Sequence, residues 1–384
     1  MQAVQTPIIP VVTEWIRTNP GTISLAQGVV YYPPPPQAIA AAKDFLYSGE
    51  NKYGPVQGQA ALLDAIAQKL RRENGMKVGS GDQRIIVTAG GNMAFVNAMF
   101  AITDPGDEVI LPLPYYFNHE MAIRMLNCTP VLVPTDADYR LQPDALRRAI
   151  TRRTRAVVTV SPNNPSGVVY SREVLAAVNT LCREAGIYHV SDEAYEHFTY
   201  DDSEHFSPGS LPGAEAHTIS LYSLSKSYGF AGWRIGYMVL PPQLYDAVLK
   251  AQDTNLICAS LIAQHASTVM LNSSTEYRRE KHQALNAVRH TVLHELAALE
   301  PDCHVPPTEG AFYALMQVRS NLDPMRLVEK LIREHRVAVL PGTAFGLHNG
   351  CCLRVSYGAL EPEAAIAGIK RLVSGLKAVL TDPI

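Results

Sequence analysis

The chain has no apolar run approaching the roughly 18 residues that a membrane-crossing helix needs. Its first residues, Met1 to Pro10, show neither a basic start nor an apolar h-region, so a secretory signal is not expected. Six cysteines (Cys128, Cys182, Cys258, Cys303, Cys351 and Cys352) show no C-x-x-C spacing and no metal-like cluster. Adjacent Cys351 and Cys352 sit in an apolar segment and read as core residues rather than a disulfide. A G-x-G-x-x-G after an early strand is also missing, which removes the main dinucleotide-binding signal. Net charge is only −3, so no broad attraction for nucleic acid is expected. The densest basic run, Arg147, Arg148, Arg152, Arg153 and Arg155, reads as the solvated end of a helix (Pro143 to Ile150) leading into a strand. Neither nucleic acid nor membrane is therefore an expected partner, and a reducing cytoplasm is the expected location.

What is present is an ordinary globular chain of 384 residues, 47% hydrophobic and 18% charged. That length is too great for one simple core and suggests two lobes. Short apolar runs alternate with helical patterns through the first two-thirds. Strands are expected at Ile85–Val87, Glu108–Leu111, Ala156–Val160, Ile187–Val190, Thr218–Tyr222 and Ile235–Leu240, with a helix from about Met93 and another at Arg172–Ala185. Such alternation indicates an α/β fold with a mainly parallel sheet and helices on both faces. A long helical region is expected from Pro242 to Leu299. The remainder reads as α+β: strands at Ala311–Val318, Val337–Leu340 and Cys351–Ser356, and helices at Pro324–Glu334 and from Glu361. The proline-rich beginning, with Pro7, Pro10, Pro20 and Pro33–Pro36, reads as an extended arm rather than a helix. No internal repeat is visible.

Polar residues cluster after the strands, where open α/β sheets place their ligands. In Ser223-Leu224-Ser225-Lys226, one lysine stands beside two small hydroxyls, just after an apolar strand, with Arg234 eight residues on. A surface lysine is the ordinary case, but apolar neighbours would lower its pKa by desolvation and favour a nucleophilic amine. Such an amine can form an imine with an aldehyde cofactor, while the hydroxyls and a buried Arg234 hold a phosphate. Pyridoxal 5′-phosphate needs both. Asp192 ends a buried strand; it either caps the next helix or supplies a carboxylate to a pyridine nitrogen. Tyr195, three residues on, would bring a hydroxyl to the same side across one helical turn. A metal reading of Glu193 and His197 at i,i+4 explains none of the other motifs, and no metal is expected. Pro162-Asn163-Asn164-Pro165 is a turn that could fix the Asn164 amide against a ligand oxygen. Gly90-Gly91-Asn92 sits between strand and helix, where bare N–H groups bind phosphate. Arg354 lies in an otherwise apolar strand; it is held either by a structural ion pair or by a substrate carboxylate, which suits a planar guanidinium.

These pieces, in this order, resemble the class I/II aminotransferases of pyridoxal-phosphate fold type I, the group that includes aspartate aminotransferase. The resemblance runs from Ser24-Leu25-Ala26-Gln27-Gly28 to Arg354. It implies a large domain (42–286) with a mainly parallel sheet flanked by helices. A smaller α+β domain would be made from the N-terminal arm (1–41) and the C-terminal segment (287–384). It implies Lys226 as the imine-forming lysine and proton carrier, Asp192 on the pyridine nitrogen, and Asn164 and Tyr195 on the phenolic oxygen. Gly91, Asn92, Ser223, Ser225 and Arg234 would surround the phosphate, and Tyr116 would stack on the ring. Tyr53, in Asn51-Lys52-Tyr53-Gly54, would reach the phosphate in the partner subunit of a homodimer with shared active sites. Gly28 would lie beside the substrate carboxylate and Arg354 would anchor it.

Two departures bear on the substrate. Some members bind a dicarboxylic substrate through a lysine in the Gly-Gly turn, where this chain has Asn92; others use an arginine in a loop that here, at 251–260, contains neither arginine nor lysine. Tyr31, Tyr32 and Tyr116 offer aromatic surface instead. The expected function is therefore a ping-pong amino transfer between an L-amino acid and a 2-oxo acid, with a neutral (aromatic or methionine-like) substrate side chain. The alternatives are an aspartate/glutamate-type aminotransferase, with a cation such as Arg17 or Lys52 meeting the second carboxylate, and a C–S β-lyase of the same fold.

Overall fold

The computed structural model describes residues 4–50, 52–78, 84–273 and 275–381. The chain opens with α1 (Ile8–Arg17), β1 (Ile23–Ser24), α2 (Pro36–Tyr47) and α3 (Ala60–Glu73). An alternating series comes next: β2 (Arg84–Thr88), α4 (Gly91–Ile102), β3 (Glu108–Leu113), α5 (Phe117–Met125), β4 (Thr129–Pro134), α6 (Pro143–Ala149), β5 (Thr154–Val160), α7 (Arg172–Ala185) and β6 (Tyr188–Asp192). Then come β7 (Thr218–Ser223), the four-residue α8 (Leu224–Ser227), β8 (Gly236–Leu240), α9 (Tyr245–Asn255), α10 (Leu261–Leu271) and α11 (Glu276–Ala297). The last part is β9 (Cys303–His304), β10 (Tyr313–Val318), α12 (Pro324–His335), β11 (Val337–Ala338), β12 (Leu340–Pro341), β13 (Cys351–Ser356) and α13 (Pro362–Thr381).

The local chemistry explains the clearest boundaries. Ser171 caps α7 by accepting a hydrogen bond from the Val174 amide, and Gly186 ends it in the left-handed conformation. Asp323 caps α12 in the same way through the Arg326 amide, with Pro324 at the first helical position.

Seven strands form the large sheet in the order β2-β8-β7-β6-β5-β3-β4. The strands β4, β3, β5, β6 and β7 run parallel, and β8 is antiparallel to both of its neighbours. Central strands β5, β6 and β7 are buried along nearly their whole length, as expected where helices cover both faces. Register aligns Val160 with Asp192 and Asp192 with Leu221, so the carboxyl ends of β5, β6 and β7 share one edge. A second, antiparallel sheet has the order β12-β13-β10-β9, and β1 pairs in parallel with β11. The N-terminal segment is thereby stitched to the C-terminal part: the Leu25 amide donates to the Ala338 carbonyl, and the Ser356 amide donates to the Leu25 carbonyl.

Three expectations need correction. The proline-rich beginning is not simply an extended arm, because α1 and α2 are helices. Pro10 falls in the first turn of α1 and Pro36 at the start of α2, where a missing N–H breaks no intrahelical bond. Among the described residues the region from Pro242 to Leu299 holds three α-helices after a short 3-10 turn, and α9 is separated from α10 where Ile257 adopts a φ of 69°. The run Val337–Leu340 is two short strands that serve different sheets, β11 pairing with β1 and β12 with β13. Helices α2 and α11 run continuously through positions 41/42 and 286/287.

Candidate active site

A cavity of about 390 Å³ opens where the carboxyl ends of the large sheet meet β10 and β13. That size suits a small-molecule site. It is lined by Gly28, Gly91, Asn92, Tyr116, Asn164, Asp192, Tyr195, Ser223, Ser225, Lys226, Arg234 and Arg354, which is every expected site residue except Tyr53. Parallel strand register accounts for the convergence. Asp192 ends β6, Ser223 ends β7, and the turn after β5 carries Asn164. Both Ser161-Pro162 and Asn164-Pro165 are cis.

Lys226 sits in α8, whose backbone is tied down locally. Ser223 Oγ accepts from the Ser225 amide, and the Tyr32 hydroxyl donates to the Lys226 carbonyl at 2.8 Å. The Lys226 ammonium donates to the Gly28 carbonyl. Burial, with the nearby Arg354 and Arg234 charges, lowers its pKa to about 8 despite the opposing influence of Asp192. The amine is thus far more nucleophilic at neutral pH than an ordinary lysine.

One end of the cavity is an anion cradle. Helix α4 begins at Gly91 and presents unpaired N–H groups, flanked by Ser223, Ser225 and Arg234. Gly90 adopts a φ of 82°, and a β-carbon there would come within 2.6 Å of Arg234 Nη2. Arg234 is solvent-exposed rather than buried as the sequence suggested. Its own φ of 51° turns the chain at the rim, and its guanidinium donates to the Ala231 and Ala89 carbonyls.

The opposite end holds Arg354, which is 2% exposed and has no acidic partner among its hydrogen bonds. Its Nη1 donates to Asn164 Oδ1 at 2.9 Å and its Nη2 to the Ala26 carbonyl, while Nε has no partner. Tyr313 and Phe345 present their ring faces to the guanidinium, 4.7 and 5.0 Å from its carbon. Leaving a buried guanidinium without an anion costs several kcal/mol; burial accordingly depresses its pKa. A structural ion pair does not account for Arg354, and a carboxylate ligand would.

Between the two ends, Asp192 Oδ1 accepts from the Ala194 amide at 3.1 Å, closing a turn; no helix comes next for it to cap. Its Oδ2 lies 3.1 Å from His119 Nε2. Tyr195 arrives through that turn rather than a helical one, and its hydroxyl accepts from Asn164 Nδ2 at 3.4 Å. Glu193 and His197 diverge: Glu193 bonds His205 and Ser207, and His197 bonds Glu73 and Ser227. Among the described residues no cluster suited to a metal is found.

Several expected residues lie elsewhere. Tyr53 is 81% exposed and does not line the cavity, and Asn51 of its motif falls outside the described residues. Tyr31 and Tyr32 pack edge-on against each other outside the cavity. Arg17 is paired with Glu14 on the surface, and Lys52 is exposed. The apolar lining comes instead from Ile9, Val29 and Phe117, together with Tyr116.

Two contributors were not anticipated. His119, buried on α5, stacks on Phe95 and braces Asp192; a lone histidine after three aromatic residues gave no pattern to find it by. Tyr313 begins β10, whose neighbour β13 carries Arg354, and only the pairing of those strands puts it in the site.

The family model described as aminotransferase class I and II matches residues 20–372. An aspartate/prephenate aminotransferase of Thermus thermophilus is 38% identical over 351 residues, covering 90% of this chain and 89% of that protein. An aromatic aminotransferase of Arabidopsis thaliana is 35% identical over 373 residues, covering 94% and 91%. The structure of Thermus thermophilus aspartate aminotransferase with maleate superposes with a TM-score of 0.90 at 34% identity, over 97% of this chain and 98% of that one.

Proposed function

The chain belongs to the class I and II aminotransferases, and from that premise we propose that it binds pyridoxal 5′-phosphate at Lys226 and transfers amino groups between 2-oxo acids and L-amino acids with neutral, aromatic or methionine-like side chains. The observation that carries this reading is the placement of a depressed-pKa lysine between an anion cradle and a buried arginine lacking an anion, with a carboxylate alongside.

The residues present fit the cofactor. When bound, it supplies an aldehyde that captures amino groups and a ring that draws electrons from the substrate Cα. The α4 N-terminus, Ser223, Ser225 and Arg234 would hold its phosphate. Asp192, braced by His119, would keep a proton on the pyridine nitrogen. Asn164 and Tyr195 would hold the phenolic oxygen, and Tyr116 would cover one ring face. Arg354 binds the α-carboxylate beside Gly28, with its guanidinium oriented by Asn164. Lys226, once free, takes the proton from the substrate Cα. Its neutral amine is available near physiological pH because burial and the two arginines depress its pKa. Ile9, Val29 and Phe117 present apolar surface to the substrate side chain.

The side-chain preference rests on charge. Among the described residues lining the cavity, the cations are Lys226, Arg234 and Arg354, and each is already engaged by the cofactor or the α-carboxylate. A second carboxylate would find no further cation among the described residues lining the cavity. A second reading, in which the substrate is dicarboxylic, is favoured by relatives named for aspartate. The same proposal includes a homodimer in which Tyr53 reaches the partner's cofactor, and domain divisions at 41/42 and 286/287 with α2 and α11 as connectors. A panel of 2-oxo acids with several amino donors tests the substrate. Turnover of aromatic and sulfur-containing acids is expected. Strong activity with oxaloacetate alone would overturn the neutral side-chain reading, and pyruvate release from cysteine conjugates without amino transfer would point to β-elimination.

A further inference from the structure

Tyr313 is fully buried and lines the cavity. Its hydroxyl lies 2.7 Å from the hydroxyl of Tyr195. Its ring lies under the Arg354 guanidinium, and Arg354 reaches back to Tyr195 through Asn164. Tyr313, Tyr195, Asn164 and Arg354 thus form a closed ring of contacts. The fold makes room for this phenol: a β-carbon on Gly28 would lie 2.5 Å from Tyr313 Oη. A side chain at position 28 would therefore displace the Tyr313 phenol, and the Gly28 carbonyl in turn receives Lys226.

Resting on the cofactor reading, we infer that Tyr313 is a positioning residue whose hydroxyl donates to Tyr195 Oη and so makes Tyr195 a stronger donor to the cofactor's phenolic oxygen. The direction of donation comes from proton count. Each phenol has one proton, and burial holds both hydroxyls protonated at neutral pH, raising Tyr313 to about 12 and Tyr195 well above the ordinary value. If Tyr195 gives its proton to the cofactor, the 2.7 Å contact survives only with Tyr313 as donor. A phenol that accepts one hydrogen bond donates a better one, because the chain polarises. The other titratable or charged groups facing the pair are Tyr116 and Arg354, with Asp192, Lys226 and Arg234 lining the same cavity.

The test is a spectrophotometric pH titration of the loaded protein without substrate, tracking the band shift as the cofactor chromophore loses its proton. Tyr313→Phe removes one oxygen and keeps the ring under Arg354. Its titration midpoint should rise by roughly 0.3 to 1 pH unit, the range expected for one assisting hydrogen bond. Tyr195→Phe should shift it further in the same direction, and adding Tyr313→Phe to Tyr195→Phe should shift it no more. A coloured Tyr313→Phe protein that titrates at the wild-type midpoint overturns the inference alone. So does an equal shift in the presence and absence of the Tyr195 hydroxyl. A wild-type protein that takes up no coloured cofactor overturns the functional reading and this inference with it.

Discussion

Asn164 Oδ1 accepts a 2.9 Å hydrogen bond from Arg354 Nη1, joining the turn after β5 to the middle of β13 across 190 positions of sequence. The contact crosses from the seven-stranded sheet to the four-stranded one. It fixes the plane of the one buried guanidinium in the cavity relative to the residues expected around the cofactor. In the proposed reading, the residue that recognises the substrate carboxylate and one that holds the ring are thus directly bonded to each other, alongside the contacts of Arg354 with Ala26 and of Asn164 with Tyr195.

Replacing Arg354 with lysine should separate binding from cofactor uptake. Lysine keeps the charge but loses the fork that matches a carboxylate. We expect kcat/KM for the preferred amino acid to fall by about 30- to 1,000-fold, the equivalent of about 2–4 kcal/mol. Most of the loss should lie in KM, with the cofactor absorbance retained. Steady-state kinetics alongside an absorbance spectrum check this.

Asp192→Asn leaves the side-chain shape but removes the charge expected to hold the pyridine proton. A loss in kcat of about 100-fold or more is expected. His119→Phe should give a smaller loss, about 10-fold, by removing the group that braces Asp192. The ordering of the two variants in single-turnover assays is the check. A His119 variant as impaired as the Asp192 variant would show that the histidine acts directly.

The lowered lysine pKa has two consequences for pH. In the cofactor-free protein the amine of Lys226 loses its proton near pH 8, whereas an unfolded lysine does so near 10.5. Cofactor uptake in stopped-flow should accelerate as pH rises through about 8. Between about 8 and 10.5 the unfolded chain binds one more proton at this site than the folded chain, so the Lys226 contribution makes the apoprotein more stable as pH rises there. The Lys226→Ala apoprotein should lack that rise.

A buried ion pair packs against the large sheet at Tyr222 and does not line the cavity. Lys69 and Glu196 are both nearly inaccessible and bonded to each other, with Asn74 bonded to both. Lys69→Met leaves the Glu196 carboxylate buried without its charge partner. A loss of about 3–5 kcal/mol in urea unfolding is expected. Replacing both residues with apolar ones should restore much of it.

The site was largely legible in the sequence because its residues sit at strand ends, and strand ends announce themselves by a change from apolar to polar residues. Asp192 after Tyr188–Ser191 and Lys226 after Thr218–Tyr222 stand out in this way. Arg354 stands out because a charge inside an apolar strand demands a partner. What stayed hidden depended on pairing between distant strands and on the packing of helices. Tyr313 is one more apolar-looking strand residue until β10 meets β13. His119 gains meaning only when α5 lies against β6's end. Ile9 was obscured because the prolines near it suggested an extended chain, yet Pro10 falls where a helix tolerates it. The exposure of Arg234 was unforeseen for a related reason: its neighbours Gly232 and Trp233 look apolar, but the chain turns outward at that point.

The proposed chemistry depends most on a covalent bond between the cofactor and the Lys226 amine. Borohydride reduction of the cofactor-loaded protein, with mass mapping of its peptides, tests this directly. A reduced pyridoxyl phosphate adduct is expected on Lys226, and it should disappear in Lys226→Ala. An unmodified Lys226 peptide, or an adduct on another lysine, would contradict the assignment.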